Sequence, residues 1–408
     1  MHLQAQNPPD LPFEPDATSA ASTRAGQIEA ARKAKAASIP PVKPHVVMEK
    51  GESAVTKGFN IWNFTQVGTH GLSLKLGGLA IGSGLGFGPE YVLKRGELYN
   101  PRLVWDSYAI GSFQGYYRLQ SALEFPRLLR DRGFFSITAL RFDYPRLAYY
   151  GPGPDSRITG YSDYRMQDND LEIRGGFRPW NKSFRVGLVG GFQGVTIGPG
   201  TRPGYAHTDE LYPVTQARGD DRAATFLSGG FFLQFDTRDS SGDPHAGTYL
   251  FAQFQNVNGS RRSLGGFNQY DFDAQHYFHY WNKRRVIATR IKATLTTPHP
   301  GTFVPFYLEP RLGGSDDLRG FRPYRFYDQN AVVATAEYRW TAVEALDMAL
   351  FADAGKVYHD SDTLSLSHFQ SDIGVGFRFK SRDSVPVRLD IGVSREGVQI
   401  WLNFYNVF

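Results

Sequence analysis

The fold is decided by SDIGVGFRFK (Ser371–Lys380) and VPVRLDIGVS (Val385–Ser394), two neighbouring stretches near the C-terminus. In the first, Ile373, Val375, Phe377 and Phe379 alternate with Asp372, Gly374, Gly376, Arg378 and Lys380. In the second, Val387, Leu389, Ile391 and Val393 alternate with Arg388, Asp390, Gly392 and Ser394. Strict alternation marks a strand, because successive side chains point to opposite faces. AVVATAEYRW (Ala331–Trp340) repeats the pattern, with Glu337 and Arg339 opposed to Ala336, Tyr338 and Trp340. The polar face carries glycine and charge, not the Thr and Lys of a solvated sandwich. An apolar outside against a wet, charged inside predicts a transmembrane β-barrel.

Working outward, the same period predicts sixteen strands: 68–80, 83–94, 101–111, 114–124, 132–142, 166–178, 182–196, 223–236, 246–257, 266–279, 284–296, 331–341, 345–358, 369–379, 385–394 and 397–408. The long connections, 143–165, 197–222 and 297–330, all follow odd-numbered strands. Those after even-numbered strands are short, such as 280–283 and 342–344. Short turns at one rim and long loops at the other are the signature of an outer-membrane barrel. A soluble sandwich fails on strand length, and a propeller fails because no internal repeat is present. The expected fold is all-β: a sixteen-stranded antiparallel transmembrane barrel.

Composition is compatible with this. The chain has 408 residues, 14% aromatic, 44 glycines, no cysteine and a net charge of +5. Without cysteine there is no disulfide, no thiolate catalysis and no Cys-based metal site. The positive charge is too diffuse to predict a nucleic-acid partner. No run approaches the roughly 18–20 apolar residues of a spanning helix. MHLQAQNPPDLPFEP lacks the basic start and apolar core of a signal peptide. A mean hydropathy of −0.38 suits a barrel, half of whose strand residues face water. Residues 1–57 differ: they are rich in Ala, Pro and Lys, with prolines at 8, 9, 12, 15, 40, 41 and 44. They read as a mostly extended tether with one short helix within Thr23–Ala37, and 58–408 as the barrel.

The longest polar interruption is PRLGGSDDLRGFRPYRFYDQN (Pro310–Asn330), which holds bulky apolar residues that a solvated loop does not need. Leu318-Arg319-Gly320-Phe321 within it resembles the [VIL]RG[FY] motif of the Omp85 superfamily, the bacterial surface antigen (D15) family. FDTRDSSGDPHAG is similar to that family's turn motif through Asp236, Arg238, Asp239, Pro244 and Gly247. LFADAGKVY is similar to its F-x-D-x-G strand through Phe351, Asp353 and Gly355, and YYGPGPDS (Tyr149–Ser156) to its Tyr-Gly-x-Gly loop. The resemblance spans roughly 58–408. It implies that the motif rides on a sixth extracellular loop folded back into the lumen. Here it falls in the sixth odd-to-even connection. The final Phe408 resembles the C-terminal aromatic signal of outer-membrane barrels.

The resemblance implies an outer-membrane protein that inserts or translocates proteins, or moves lipid, through a seam between the first and last strands. Its partners would be outer-membrane lipid and unfolded protein clients. Residues 1–57 cannot hold the POTRA domains that most members carry. The rival readings are a passive pore and the barrel half of a patatin-type phospholipase. No G-x-S-x-G elbow is present, and His276 and His279 lie on opposite strand faces. No enzymatic activity, cofactor or metal is expected. Within the barrel, Arg319 is expected to pair with Asp353 first and Glu337 second, in a hydrated lumen that screens the charges.

Overall fold

The computed structural model describes residues 71–404, apart from 78, 98–99, 214, 218, 220–222, 261–265, 281–283, 344, 361–364, 366 and 382–383. The tether 1–57 and Phe408 lie outside the described residues. The strands are β1 (Gly71–Leu76), β2 (Gly86–Glu97), β3 (Asn100–Ser112), β4 (Tyr117–Leu128), β5 (Gly133–Tyr149), β6 (Ser162–Phe177), β7 (Phe184–Pro199), β8 (Ala224–Asp236) and β9 (Gly247–Gly259). They continue with β10 (Gly266–Tyr280), β11 (Arg285–Pro298), β12 (Arg311–Leu312), β13 (Phe326–Tyr327), β14 (Asn330–Val343), β15 (Leu346–Tyr358), β16 (Gln370–Ser381), β17 (Ser384–Ser394) and β18 (Gly397–Asn403).

Sixteen of these form one antiparallel sheet in chain order, β1 to β11 and then β14 to β18. Strands β12 and β13 form a separate two-stranded sheet inside the β11–β14 connection. Just past β1, a Cβ on Gly77 would lie 2.7 Å from the Phe404 ring, just past β18. The two ends of the sheet therefore meet, and among the described residues no ladder joins β1 to β18.

The alternation read from the sequence is physical. On β14, Val333, Thr335, Glu337 and Arg339 are buried, while Ala334 and Ala336 face out. Outward apolar residues are freely exposed: Leu188 at 70%, Ile373 at 66% and Leu402 at 60%. Repeated on most strands of the sheet, such exposure would be a large apolar patch in a water-soluble domain. On a barrel wall it is the lipid-facing surface.

β5 and β6 reach further toward the long-loop rim than the sequence pattern indicates. The β5–β6 register shifts between Tyr144 and Leu147, around Pro145. Proline donates no ladder hydrogen bond and is tolerated at such an irregularity. The irregularity interrupts the period of two, so the pattern ends there although the strand continues. A four-residue helix, Thr208–Leu211, interrupts the connection after β7.

Candidate functional site

The β11–β14 connection, 299–329, is the sixth at the long-loop rim and is called loop six below. Its turn is set by glycine and aspartate. Gly313 and Gly314 have φ of +110° and +118°, and a Cβ on Gly313 would lie 2.5 Å from the Arg322 carbonyl. Only glycine fits both requirements. The Asp317 carboxylate accepts the backbone N–H of Gly313 at 3.0 Å and of Leu318 at 2.9 Å. This local turn delivers Leu318–Phe321 to the inner wall.

There Arg319 meets both carboxylates named from the sequence. Its Nε and Nη2 donate to Asp353 at 2.8 and 2.9 Å, a two-pronged pair, and Nη1 donates to Glu337. The guanidinium also lies 3.5 Å from the centre of the Phe351 ring. Glu337 is shared: it accepts Arg339 Nε at 2.7 Å and Arg378 Nη2 at 3.1 Å. Arg378 donates in turn to Asp390, and Arg388 Nη2 reaches the Ser315 carbonyl at 2.7 Å. Cations and carboxylates thus alternate along β14–β17. Burial alone would push the Arg319 guanidinium down, but Glu337 and Asp353 more than offset it and raise the group above its ordinary value.

The surroundings correct one expectation. Arg319 is 0% exposed, and the side chains of Glu337 and Asp353 are equally closed to solvent. Solvent does not screen this pair. Removing one partner of such a buried pair costs about 3–5 kcal/mol.

Glycines allow the close approach. A Cβ on Gly320 would lie 2.5 Å from Asp372 Cβ and 2.9 Å from Ser394 Cβ, and one on Gly392 would lie 2.5 Å from the Arg319 carbonyl oxygen. The loop backbone therefore rests on the wall backbone. Wall donors then hold its carbonyls: Trp401 Nε1 donates to the Arg319 oxygen at 2.6 Å, and Ser394 Oγ to the Gly320 oxygen at 2.7 Å. Trp401 belongs to the last strand, β18. Sequence reasoning passed over it, although the alternation of GVQIWLN already turns it inward.

Behind the motif, Leu318 and Phe321 pack with Leu312, Phe326, Ala331, Val333 and Val357. Phe321 and Phe326 meet edge to face at 5.2 Å. Arg325 adds a second tie, with Nε 2.9 Å from Glu396 and Nη1 2.7 Å from Ser156 Oγ. The Tyr149–Ser156 stretch also docks on loop six, through Gly153 N–H to the Tyr327 carbonyl at 2.7 Å. On the far side, Phe306 of loop six sits edge-on to Tyr149 and Tyr164 at 5.0 and 4.9 Å.

The turn motif lies at the other rim. Asp236 and Arg238 pair through two bonds of 3.0 and 2.9 Å, and Asp239 accepts the backbone N–H of His245 at 2.9 Å. Gly247 has φ of +105°, and a Cβ there would lie 2.3 Å from the Thr237 carbonyl. Pro244 is buried beside Asp243. The turn crosses to a distant part of the sheet: Lys380 of β16 lies 3.1 Å from Asp243 and 3.0 Å from Asp347 of β15. Asp243, His245 and Asp347 could offer ligand atoms to a metal. The Lys380 ammonium already bridges the two carboxylates, so a metal ion would have to displace it.

The model of the Omp85 superfamily domain matches residues 112–405. Among solved structures, the chain is similar to BamA from Haemophilus ducreyi lacking POTRA domains 1–3, with a TM-score of 0.57 and 15% identity over 83% of this chain and 69% of that one. It is similar to CdiB from Escherichia coli, with a TM-score of 0.52 and 14% identity over 84% of this chain and 63% of that one. CdiB from Acinetobacter baumannii gives 0.50 and 11% over 82% and 59%. The chain thus spans less than two thirds of either CdiB. At these identities the likeness is one of fold. No curated protein sequence matches.

Proposed function

From the premise that the chain belongs to the Omp85 superfamily, and is a β-barrel of the bacterial outer membrane, we propose that it inserts or translocates polypeptides through the seam between β1 and β18, with loop six as the element that holds the seam strand. The observation that carries this reading is the bond from Trp401 of β18 to the Arg319 carbonyl. The same residue is clamped to Asp353 and Glu337. One loop residue therefore ties the strand at the sheet's end to β14 and β15, four and three strands away. A loop that grips the end strand supports control of the seam rather than an open passive pore. The seam is the place where a client strand could pair, because an end strand offers unpaired N–H and C=O groups.

The test uses the absence of native cysteine. A Cβ on Gly77 would lie 3.1 Å from Phe404 Cβ, close to the roughly 3.5–4.5 Å of a disulfide. Gly77→Cys/Phe404→Cys protein in liposomes should accelerate folding of an unfolded outer-membrane barrel when reduced. It should lose that acceleration when oxidised and regain it on reduction. Ion conductance without any folding acceleration, unchanged by oxidation, would leave the passive pore standing instead.

A further inference from the structure

We propose that the long-loop rim carries a binding site for an anionic saccharide. A cavity of about 810 Å³ opens there, built by the connections after β1, β3, β5, β7 and β11 together with the end of β5 and β18. Its polar lining is one-signed. Arg146, Arg202 and Arg322 face it, and no Asp or Glu lines it among the described residues. None of the three arginines has a carboxylate within salt-bridge distance among the described residues. Asp163, nearby on β6, is wholly buried and accepts the Arg202 backbone N–H at 2.9 Å. The lumen wall shows the contrast: Arg319, Arg339, Arg378 and Arg388 all have carboxylates beside them. Arginines placed together without acids suit an external carboxylate or phosphate, which their planar fork binds through two N–H groups.

The rest of the lining sets the size and shape of the ligand. Tyr150, Tyr161 and Tyr205 line the same cavity. Tyr161 and Tyr205 meet edge to face at 4.8 Å, and the Arg202 guanidinium lies 5.2 and 4.5 Å from their ring centres. Arg202 Nη1 also donates to the Tyr161 hydroxyl at 3.2 Å, which fixes its direction. Tyr205 is 46% exposed, so its ring remains available. A single inorganic anion would fill little of this volume, which falls in the range of small-molecule sites. The C–H faces of a pyranose ring lie flat on tyrosine rings, and sugar hydroxyls can bond Gln114 and Gln399 at the rim. Arginine for the charge and tyrosine for the ring together favour a sugar that carries phosphate or carboxylate. Such a group could come from a glycolipid headgroup of the outer leaflet or from a free oligosaccharide.

The experiment titrates the full chain in detergent with trigalacturonate, neutral maltotriose and inorganic phosphate, read by calorimetry. Trigalacturonate should bind, and more weakly as salt rises. Arg202→Ala and Arg322→Ala should each weaken it about tenfold or more, with the heat-modifiable gel shift of the folded barrel retained. Competition then separates the sources. Displacement by delipidated phosphorylated core oligosaccharide supports a free saccharide, and displacement by the intact glycolipid alone supports a membrane-borne one. The inference falls if maltotriose binds as well as trigalacturonate, if phosphate alone matches it, if neither saccharide source competes, or if both variants bind unchanged. The polypeptide-folding assay is read on Arg202→Ala, because Arg202 touches neither the seam nor the Arg319 clamp, whereas Arg322 lies on loop six beside Phe321 and is used for binding alone.

Discussion

Arg319 and Lys380 each tie an inward-folded segment to the wall, and they do so differently. Arg319, at the loop-six motif, is closed to solvent and meets Asp353 and Glu337 with separate nitrogens. Lys380, toward the other rim, bridges Asp243 and Asp347 with one ammonium, and its side chain is still 16% exposed. A guanidinium can satisfy two carboxylates in fixed directions, whereas an ammonium is a point charge on a flexible stem. Burial removes screening at Arg319 and leaves some at Lys380. The first tie should therefore be rigid and costly to break, and the second weaker and easily remade.

The largest expected effect comes from Arg319→Ala. It leaves the buried Asp353 without its guanidinium partner and should weaken loop-six anchoring by about 3–5 kcal/mol. Purified protein should show new protease cuts between 310 and 330 and larger or noisier conductance. Arg319→Lys should recover only part of the protection, because the fork and the stacking on Phe351 are lost. A double-mutant cycle with Asp353→Ala should be strongly non-additive. Additive losses would show that the pair does not hold the loop.

Next in size is a test that leaves every charge in place. Gly320→Ala puts a methyl 2.5 Å from Asp372 Cβ and 2.9 Å from Ser394 Cβ. Overpacking of this kind costs about 1–3 kcal/mol, and the loop should lift with the same protease signature. Unchanged protection would mean that the wall yields instead. Trp401→Phe should act similarly, at about 1–3 kcal/mol, because the Arg319 carbonyl loses a buried donor. Its distinguishing readout is the seam. Disulfide formation between Gly77→Cys and Phe404→Cys should slow when Trp401 is replaced, since β18 is then less firmly held. An unchanged rate would separate loop six from the seam.

The Arg319 tie was largely legible in the sequence, and the Lys380 tie was not. Alternation fixes which side of a strand each residue faces, so Glu337, Asp353 and the sixteen strands were readable. The motif Leu318–Phe321 placed Arg319 near the two carboxylates. Alternation carries no information on what lies across the lumen. Lys380 reaching Asp243, Arg325 reaching Ser156 and Glu396, and Trp401 reaching Arg319 are set by how loops fold inward, and the partners lie up to 169 residues apart. The dryness of the clamp was missed for a related reason. Strand patterning makes the lumen wall polar, but the water there is excluded by the cluster around Leu318, Phe321 and Phe326, which forms only when the loop is in place.

The smallest expected effect concerns Lys380. Lys380→Met keeps much of the stem's volume and removes the charge, leaving Asp243 and Asp347 close together without their shared cation. The site lies between an exposed pair and a buried one, so the loss should be about 1 kcal/mol. It should fall locally. Backbone amides of Ser240–Ala246 should exchange faster with solvent, since Asp239 and Gly247 shape the turn itself while Lys380 fixes only where it docks. High salt should reduce the difference from the unsubstituted protein, as expected for a partly hydrated pair. Loop six should keep its protease protection, because Arg319 retains both of its partners. A variant that loosened both segments at once would overturn the distinction drawn between the two ties. Arg339, which bonds Glu337 on the same inner face of β14, would then be the first residue to replace in search of the connection.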